Sequence, residues 1–152
     1  MTRRSAGLLV FRRTESGPEV LIAHMGGPFW ARKDDRAWSI PKGEYDDSEE
    51  PLACARREFA EELGQPPPEG DPISLGEITQ SNGKVVTAWA LEGDLDAGAV
   101  VSNTFEIEWP RGWGRLQEFP EIDRAAWVDL ATARRKLIAA QAEFIDRFEV
   151  VY

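Results

Sequence analysis

Residues 43–64 read GEYDDSEEPLACARREFAEELG, and this stretch decides the fold. Asp47 or Ser48 can cap the start of a helix, Pro51 suits the first helical turn, and Gly64 is a typical C-terminal stop. The segment therefore predicts a helix that begins at this cap and ends at Gly64.

The last two turns of the predicted helix carry three carboxylates on one side. Successive helical residues turn by roughly 100°, so Glu58, Glu61 and Glu62 lie within one arc of about 100°. Like charges at this spacing destabilise a helix by a few tenths of a kcal/mol per pair unless a cation lies among them. An adjoining apolar stripe would pack the helix against a sheet and hold the carboxylates at its edge: Leu52, Ala55, Phe59 and Leu63.

Oxygen ligands of this kind favour a hard divalent cation. Mg²⁺ and Mn²⁺ prefer carboxylates, whereas zinc calls for sulfur or imidazole, and the chain has only Cys54 and His24 to offer. The lone histidine also argues against a Ser-His-Asp triad, and Cys54 is expected to be a small packed residue. In isolation, a Glu-rich helix face is most often a solvated surface, so the surrounding sequence decides the interpretation.

The surrounding sequence resembles the signature of the Nudix hydrolase family, which is Gly, five residues, Glu, seven residues and Arg-Glu-apolar-any-Glu-Glu-any-Gly-aliphatic. Gly43 and Glu49 occupy the first two positions, and residues 57–64 read REFAEELG. Eight of the nine specified positions match, and the exception is Gln65. The resemblance implies an α/β protein with a mixed β-sheet sandwiched between helices, a single domain over residues 1–152, and an enzyme that hydrolyses phosphoanhydride bonds.

The resemblance also implies a metal site. It makes Glu58, Glu61 and Glu62 ligands of Mg²⁺, with Mn²⁺ as a substitute, and makes the backbone carbonyl of Gly43 a further ligand. Water would attack phosphorus while the cations neutralise charge on the phosphoryl oxygens.

Glu49 and Arg57 complete the expected catalytic group. Glu49 should pair with Arg57, because an arginine fork can tie the carboxylate to the helix and preorganise the ligands. Family members place the catalytic base either on the helix or on a distant loop, so the base stays open, with Glu118 and Glu121 as the candidates outside the helix.

The segment before the helix, Trp38-Ser39-Ile40-Pro41-Lys42-Gly43, resembles that of Nudix members acting on diadenosine polyphosphates, diphosphoinositol phosphates and capped or triphosphorylated RNA ends. By this resemblance Lys42 faces the phosphate chain, with Lys84 and Arg4 as weaker candidates. Three aromatic side chains are candidates to stack on a base, with core packing as the alternative: Phe29, Trp30 and Trp38.

The charge balance restricts the class of ligand. The 152 residues include 27 Asp and Glu against 18 Lys and Arg, for a formal net charge of -9, which disfavours long nucleic acid. A small phosphorylated ligand stays compatible, because a divalent cation can bridge it to carboxylates. We therefore expect a nucleoside or dinucleoside polyphosphate as substrate, with a diphosphoinositol polyphosphate or an RNA 5′ end as alternatives. A non-catalytic nucleotide sensor with the same fold is the alternative of another class.

Composition also indicates the cellular setting. One cysteine cannot form an intramolecular disulfide, and the chain has neither a signal-like apolar run nor the roughly 20 apolar residues of a membrane span. A cytoplasmic protein without a membrane partner is expected, and a homodimer is left open.

The remaining pattern predicts the order of the elements. Strands are expected at residues 5–11, 19–24, 38–40, 73–78, 84–91 and 104–109. Residues 26–36 and 110–123 read as loops, and residues 129–147 as one helix with Leu130, Leu137, Ile138, Phe144 and Ile145 as core contacts.

Overall fold

The computed structural model describes residues 2–152, so Met1 of the predicted domain lies outside the described residues. The described chain forms nine strands: β1 Arg4–Thr14, β2 Gly17–Met25, β3 Trp38–Ser39, β4 Lys42–Glu44, β5 Ile73–Thr79, β6 Val85–Glu92, β7 Thr104–Glu108, β8 Leu116–Pro120 and β9 Ile122–Asp129. Its α-helices are α1 Pro51–Leu63, α2 Leu130–Lys136 and α3 Ala142–Val151.

Seven strands form one mixed sheet around β1. The strand order is β3-β2-β1-β6-β5, with β4 also paired to β1 and β9 to β2. The β1–β6 pairing is parallel and the other pairings are antiparallel. The predicted first hairpin is confirmed, and Gly17, at φ 117°, closes it in a conformation that favours glycine.

The sheet separates two apolar clusters, because side chains alternate between its faces. Leu8 and Val10 of β1 pack with Phe59 and Leu63 of α1 on one face. On the other face, a second cluster joins β1 and β2 to α3: Leu9, Phe11, Ile22, Phe144, Ile145 and Phe148. The predicted sandwich of a mixed sheet between helices is therefore confirmed, and so is the apolar stripe of α1.

The predicted cap of α1 is wrong, although its end is correct. The side chain of Asp46 accepts hydrogen bonds from the N–H and the hydroxyl of Ser48, which forms a separate turn before the helix. Glu50 is the N-cap and has an extended backbone, because a proline at the next position disfavours the helical conformation of the residue before it. Gly64 ends the helix in the left-handed conformation at φ 68°.

The predicted loop over residues 110–123 is also wrong. Residues 116–120 form β8, which pairs antiparallel with β7 as a separate hairpin, and β9 begins at Ile122. Most side chains of β8 are exposed, so the strand lacks the alternation of apolar and polar residues that identifies a half-buried strand.

The predicted helix over residues 129–147 is interrupted. Its first part, α2, ends at Lys136, and α3 starts at Ala142 after a short 3₁₀ turn. The N–H of Ile138 donates to the carbonyl of Trp38 at 2.9 Å, which holds the chain extended against β3. This long-range contact overrides the local helical preference. No helix of residues 2–152 is long and apolar enough to cross a membrane.

Candidate active site

A cavity of about 330 Å³ opens where the carboxylate face of α1 meets β4. Charged side chains dominate its wall, and they are two lysines and five glutamates: Lys42, Lys84, Glu44, Glu58, Glu61, Glu62 and Glu121. Because carboxylates outnumber lysines, the cavity can accept a polyphosphate only if cations enter with it.

Gly43 permits the close approach of α1 to β4. An added Cβ at this position would lie 1.9 Å from the carboxyl carbon of Glu58 and 2.2 and 2.3 Å from its oxygens. Gly43 is not among the glycines with positive φ, so backbone freedom is not what this position requires. A glycine here instead leaves space for the carboxylate of Glu58.

Arg57 holds three carboxylates at the rim of the cavity. Its Nε and Nη2 donate to the two oxygens of Glu49 at 2.8 Å each, so the structure contains the expected bidentate pair. Its Nη1 donates to Glu58 at 3.0 Å and to Glu61 at 3.2 Å. The arginine therefore sets the position of the loop carboxylate and of two helix carboxylates at once.

Glu62 lies deepest of the helix carboxylates, and its Oε1 accepts a hydrogen bond from the N–H of Lys42 at 3.2 Å. Burial raises the pKa of Glu62 to about 8, although the charge of Lys42 acts in the opposite direction. Burial also raises the pKa of Glu58, and burial, followed by the nearby Lys84, lowers the pKa of Lys42. The charges of Glu62, Glu58 and Lys42 are thus disfavoured where they lie, which is the state that a bound cation and its anionic partner would relieve.

The two carboxylate candidates outside α1 have different positions. Glu121 lines the cavity. Its N–H donates to the carbonyl of Asn103, and its carbonyl accepts from the N–H of Gly26, both at 2.9 Å. Burial raises the pKa of Glu121. Glu118 lies on the exposed strand β8 opposite Glu106 and does not line the cavity.

The basic candidates also differ in their positions relative to the cavity. Lys42 and Lys84 both line the cavity, and Lys84 contacts Glu44 at 3.5 Å. Arg4 does not line it and instead pairs with Glu77 at 3.7 Å, so the expectation that Arg4 faces the phosphates is not met.

A second cavity of about 580 Å³ adjoins the first and shares Met25, Lys42 and Lys84 with it. Trp30 forms part of its wall. Trp38 is 4% exposed, and its indole Nε1 donates to Asp34 at 2.9 Å, so the core alternative is correct and Trp38 is not available for stacking.

Phe29 is exposed but lies elsewhere, edge-on to Trp109 with ring centroids 5.4 Å apart. It lines neither cavity. Of the three aromatic candidates, only Trp30 is brought to the site. Sequence reasoning missed Asn103 and Gln80, which line the first and the second cavity, since neither lies near the helix in sequence or within a recognisable motif.

The oxygen atoms of the cavity suit a hard divalent cation, but they are not arranged as a complete set of metal ligands. Within residues 2–152, no three His, Cys, Asp or Glu side chains are already grouped to hold a metal ion. Arg57 holds Glu61 at the rim, and the carbonyl of Gly43 accepts from the buried thiol of Cys54 at 3.4 Å. Carboxylate and carbonyl oxygens are the ligands that Mg²⁺ prefers, and Gly43 provides the space that Glu58 occupies beside this carbonyl.

The raised pKa of Glu62 predicts how the metal-free protein responds to pH. Its carboxyl ionises near pH 4.5 when unfolded and near pH 8 when folded, so the neutral form stabilises the fold below pH 4.5 and this contribution is lost as pH rises to about 8. In chelator at pH 8.5, Glu62→Gln should therefore melt at least about 3 °C above the wild type. Near pH 4.5 the two should melt within about 1 °C of each other, as scanning calorimetry can establish. A difference that is equal at both pH values would contradict the buried position of Glu62.

The fold and the cavity together define a small α/β protein with an acidic helix face at the edge of a mixed sheet. A family model of the NUDIX domain matches residues 1–148. The chain therefore belongs to the Nudix family and is a Nudix pyrophosphohydrolase, an enzyme that acts on phosphorus-containing acid anhydrides.

Solved structures show the same fold at low identity. The chain is 20% identical to a C. elegans Ap4A hydrolase, solved as a binary complex, with 97% of this chain and 96% of that chain covered and a TM-score of 0.67. The NUDIX domain of Shewanella oneidensis NrtR, solved with ADP ribose, is 16% identical, with 99% of this chain and 88% of that chain covered and a TM-score of 0.65. The Nudix hydrolase RenU of M. smegmatis is 21% identical, with 97% and 83% covered and a TM-score of 0.58. No curated protein matches the sequence.

Proposed function

We propose that this protein hydrolyses a phosphoanhydride bond in a dinucleoside polyphosphate or a nucleoside triphosphate with Mg²⁺, for which Mn²⁺ can substitute. The observation that carries the proposal is the convergence of two partly buried carboxylates, Glu62 and Glu58, on the Lys42–Gly43 edge of β4, with both carboxyl pKa values raised. Carboxylates packed in this way beside a lysine suit a site for a cation and a phosphate together.

Glu58, Glu61, Glu62 and the carbonyl of Gly43 would hold the metal. When bound, Mg²⁺ supplies positive charge that neutralises the phosphoryl oxygens and the leaving oxygen. The Glu49–Arg57 pair would keep Glu58 and Glu61 in place before the metal binds, which reduces the reorganisation that binding requires.

Lys42 and Lys84 would orient the phosphate chain between the two cavities, because both lysines line both walls. Water would attack one phosphorus, the anhydride P–O bond would break, and a carboxylate would take the proton of the water. We propose Glu121 as the strongest candidate outside α1 for this base, since it lines the cavity and burial raises its pKa, which makes its carboxylate a stronger base.

The second cavity supports a nucleotide substrate over a bare polyphosphate. Its volume lies within the range of about 300 to 1,000 Å³ typical of small-molecule sites, and an indole ring forms part of its wall. Among proteins of the same fold, one is an Ap4A hydrolase and another was solved with ADP ribose, so both ligand classes belong in the first assays.

Three alternatives have weaker support. A diphosphoinositol polyphosphate or an RNA 5′ end would require a broad basic surface, whereas the chain carries a net charge of -9. A non-catalytic nucleotide sensor would not need the intact carboxylate group of α1. For the cellular setting we propose the cytoplasm, because the one cysteine, Cys54, is a buried free thiol that suits a reducing compartment.

The substrate class can be tested by product analysis on a panel of diadenosine tetraphosphate, nucleoside triphosphates, ADP-ribose and a diphosphoinositol phosphate, each with Mg²⁺ and with chelator. We expect metal-dependent cleavage of the dinucleoside polyphosphate or of a triphosphate, with at least about tenfold preference over the diphosphoinositol phosphate. Cleavage of the inositol compound alone would contradict the proposed substrate class. Nucleotide binding without any cleavage would favour the sensor.

A further inference from the structure

Two buried glutamines lie beside the second cavity in a hydrogen-bonded chain that the catalytic carboxylates do not include. The N–H of Ile40 donates to Oε1 of Gln141 at 3.0 Å. The Nε2 of Gln141 donates to Oγ of Ser39 and to Oε1 of Gln80, each at 3.0 Å. Gln80 is 6% exposed and Gln141 is fully buried.

This chain of bonds fixes which end of each amide faces which neighbour. A backbone N–H can only donate, so the oxygen of Gln141 must face Ile40 and its nitrogen must face Gln80. The oxygen of Gln80 then accepts from Gln141, and its Nε2 is the end that remains. Within residues 2–152 this Nε2 has no hydrogen-bond partner, and it is not among the side-chain atoms fully sealed from solvent. Gln80 lines the second cavity, so the cavity is where its two N–H groups are available.

The other side chains of this wall are apolar or carry donors. The apolar part of the wall includes the ring of Trp30 and residues 138–140. Its charged side chains are Arg36, Lys42 and Lys84. Among residues 2–152 no carboxylate lines this cavity, and the side-chain oxygen of Asn82 already accepts from the N–H of Lys84 at 3.0 Å. The hydroxyl of Ser81 can donate as well as accept. A ligand that enters from the phosphate side therefore meets more donors than acceptors.

We propose that Gln80 is a specificity-determining residue that selects a 6-oxopurine base over adenine in the second cavity, with the base lying against Trp30. This inference rests on the nucleotide substrate proposed above. The O6 and N7 edge of guanine or hypoxanthine offers two acceptors, whereas the same edge of adenine offers one acceptor and the N6 amino donor. A donor of Gln80 facing the N6 donor of adenine would leave both unpaired, which weakens binding. The two lysines shared by the cavities would then hold the phosphates on the catalytic side.

The test is calorimetric binding of the α,β-methylene diphosphates of guanosine, inosine and adenosine, which resist hydrolysis, with Mg²⁺ present. We expect the guanosine and inosine compounds to bind wild type about five- to tenfold more tightly than the adenosine compound. Gln80→Glu keeps an oxygen for Gln141 and replaces the free donor by an acceptor, so the preference should reverse toward adenosine. Gln117→Glu, the same change on the exposed strand β8, should leave the ratio unchanged.

The ratio of affinities is the readout, because an added negative charge weakens the binding of every nucleotide. Equal or tighter binding of the adenosine compound to wild type would overturn the proposal, and this comparison needs no variant. An unchanged ratio in folded Gln80→Glu would overturn the role of Gln80. If the panel assay finds no hydrolysis but the base preference holds, the proposed catalysis fails and this inference stands. If hydrolysis proceeds without base preference, the proposed catalysis stands and this inference fails.

Discussion

Glu62→Gln is expected to lower Mg²⁺-dependent turnover by about a thousandfold or more, because it removes charge from the deepest of the proposed metal ligands. The amide has nearly the size of the carboxyl group, and one side-chain oxygen can still accept the hydrogen bond from the N–H of Lys42. The variant should therefore stay folded, and kcat/KM for the best substrate of the panel measures the loss.

Glu118→Gln is the matched control, since Glu118 is an exposed glutamate on β8 outside the cavity. It should retain turnover within about twofold of the wild type, as expected for a surface substitution outside the cavity. Full Mg²⁺-dependent activity in Glu62→Gln would remove Glu62 from the ligand set. Equal losses in both variants would indicate a general effect of net charge.

Gly43→Ala should lower turnover by about a hundredfold while the protein stays folded. The new Cβ would overlap the carboxyl group of Glu58, which lies 1.9 to 2.3 Å from it and is the far end of a flexible side chain. The side chain can move at little cost in stability, but a displacement of about 1 Å in a catalytic group can cost about a hundredfold in rate. Thermal melting within about 3 °C of the wild type would accompany this loss.

Gly7→Ala provides the contrast, because its added Cβ would lie 2.6 Å from the backbone carbonyl of Pro41. This carbonyl accepts a hydrogen bond from the N–H of Leu8 at 3.2 Å and cannot turn aside, so the variant should lose about 1 to 3 kcal/mol of stability and melt several degrees lower. If Gly43→Ala instead unfolds as readily as Gly7→Ala, then Gly43 serves packing rather than the placement of Glu58. Normal activity in a folded Gly43→Ala would show that Glu58 does not need its present position.

The helix, its apolar stripe and the shared face of its carboxylates could be predicted because their signals are local. The spacing of Glu58, Glu61 and Glu62, the apolar stripe beside them, and the proline and glycine at the ends all lie within about 20 residues. The pairing of Glu49 with Arg57 follows from the same segment, and the structure contains it. Local patterns of this kind depend on helix geometry and side-chain chemistry, which do not require the rest of the fold.

Apart from the N-cap of α1, the errors arose where long-range contacts decide the structure. The break between α2 and α3 depends on a hydrogen bond from Ile138 to Trp38, about 100 residues away in the chain. The strand β8 pairs only with β7 and stays exposed, so its sequence carries no burial pattern.

The walls of the two cavities are also assembled from distant segments. Glu121 and Asn103 lie at the two ends of the β7–β8 hairpin, and the Glu121 N–H bond to the Asn103 carbonyl ties these ends together beside the site. The free end of Gln80 is defined by its contact with Gln141, 61 residues later. The sequence makes Trp38 a stacking candidate because its neighbours in sequence form the site, yet its own ring packs in the core.

The most direct test of the central claim is a titration of the purified protein with Mn²⁺, followed by electron paramagnetic resonance of the free ion. The claim is that the carboxylate face of α1 and Gly43 form a divalent-metal site. Wild type should show saturable binding that Mg²⁺ displaces, and Glu62→Gln should weaken it by at least about tenfold while Glu118→Gln leaves it unchanged. Equal Mn²⁺ affinity in wild type and Glu62→Gln would contradict the assignment of the metal to this face of the helix.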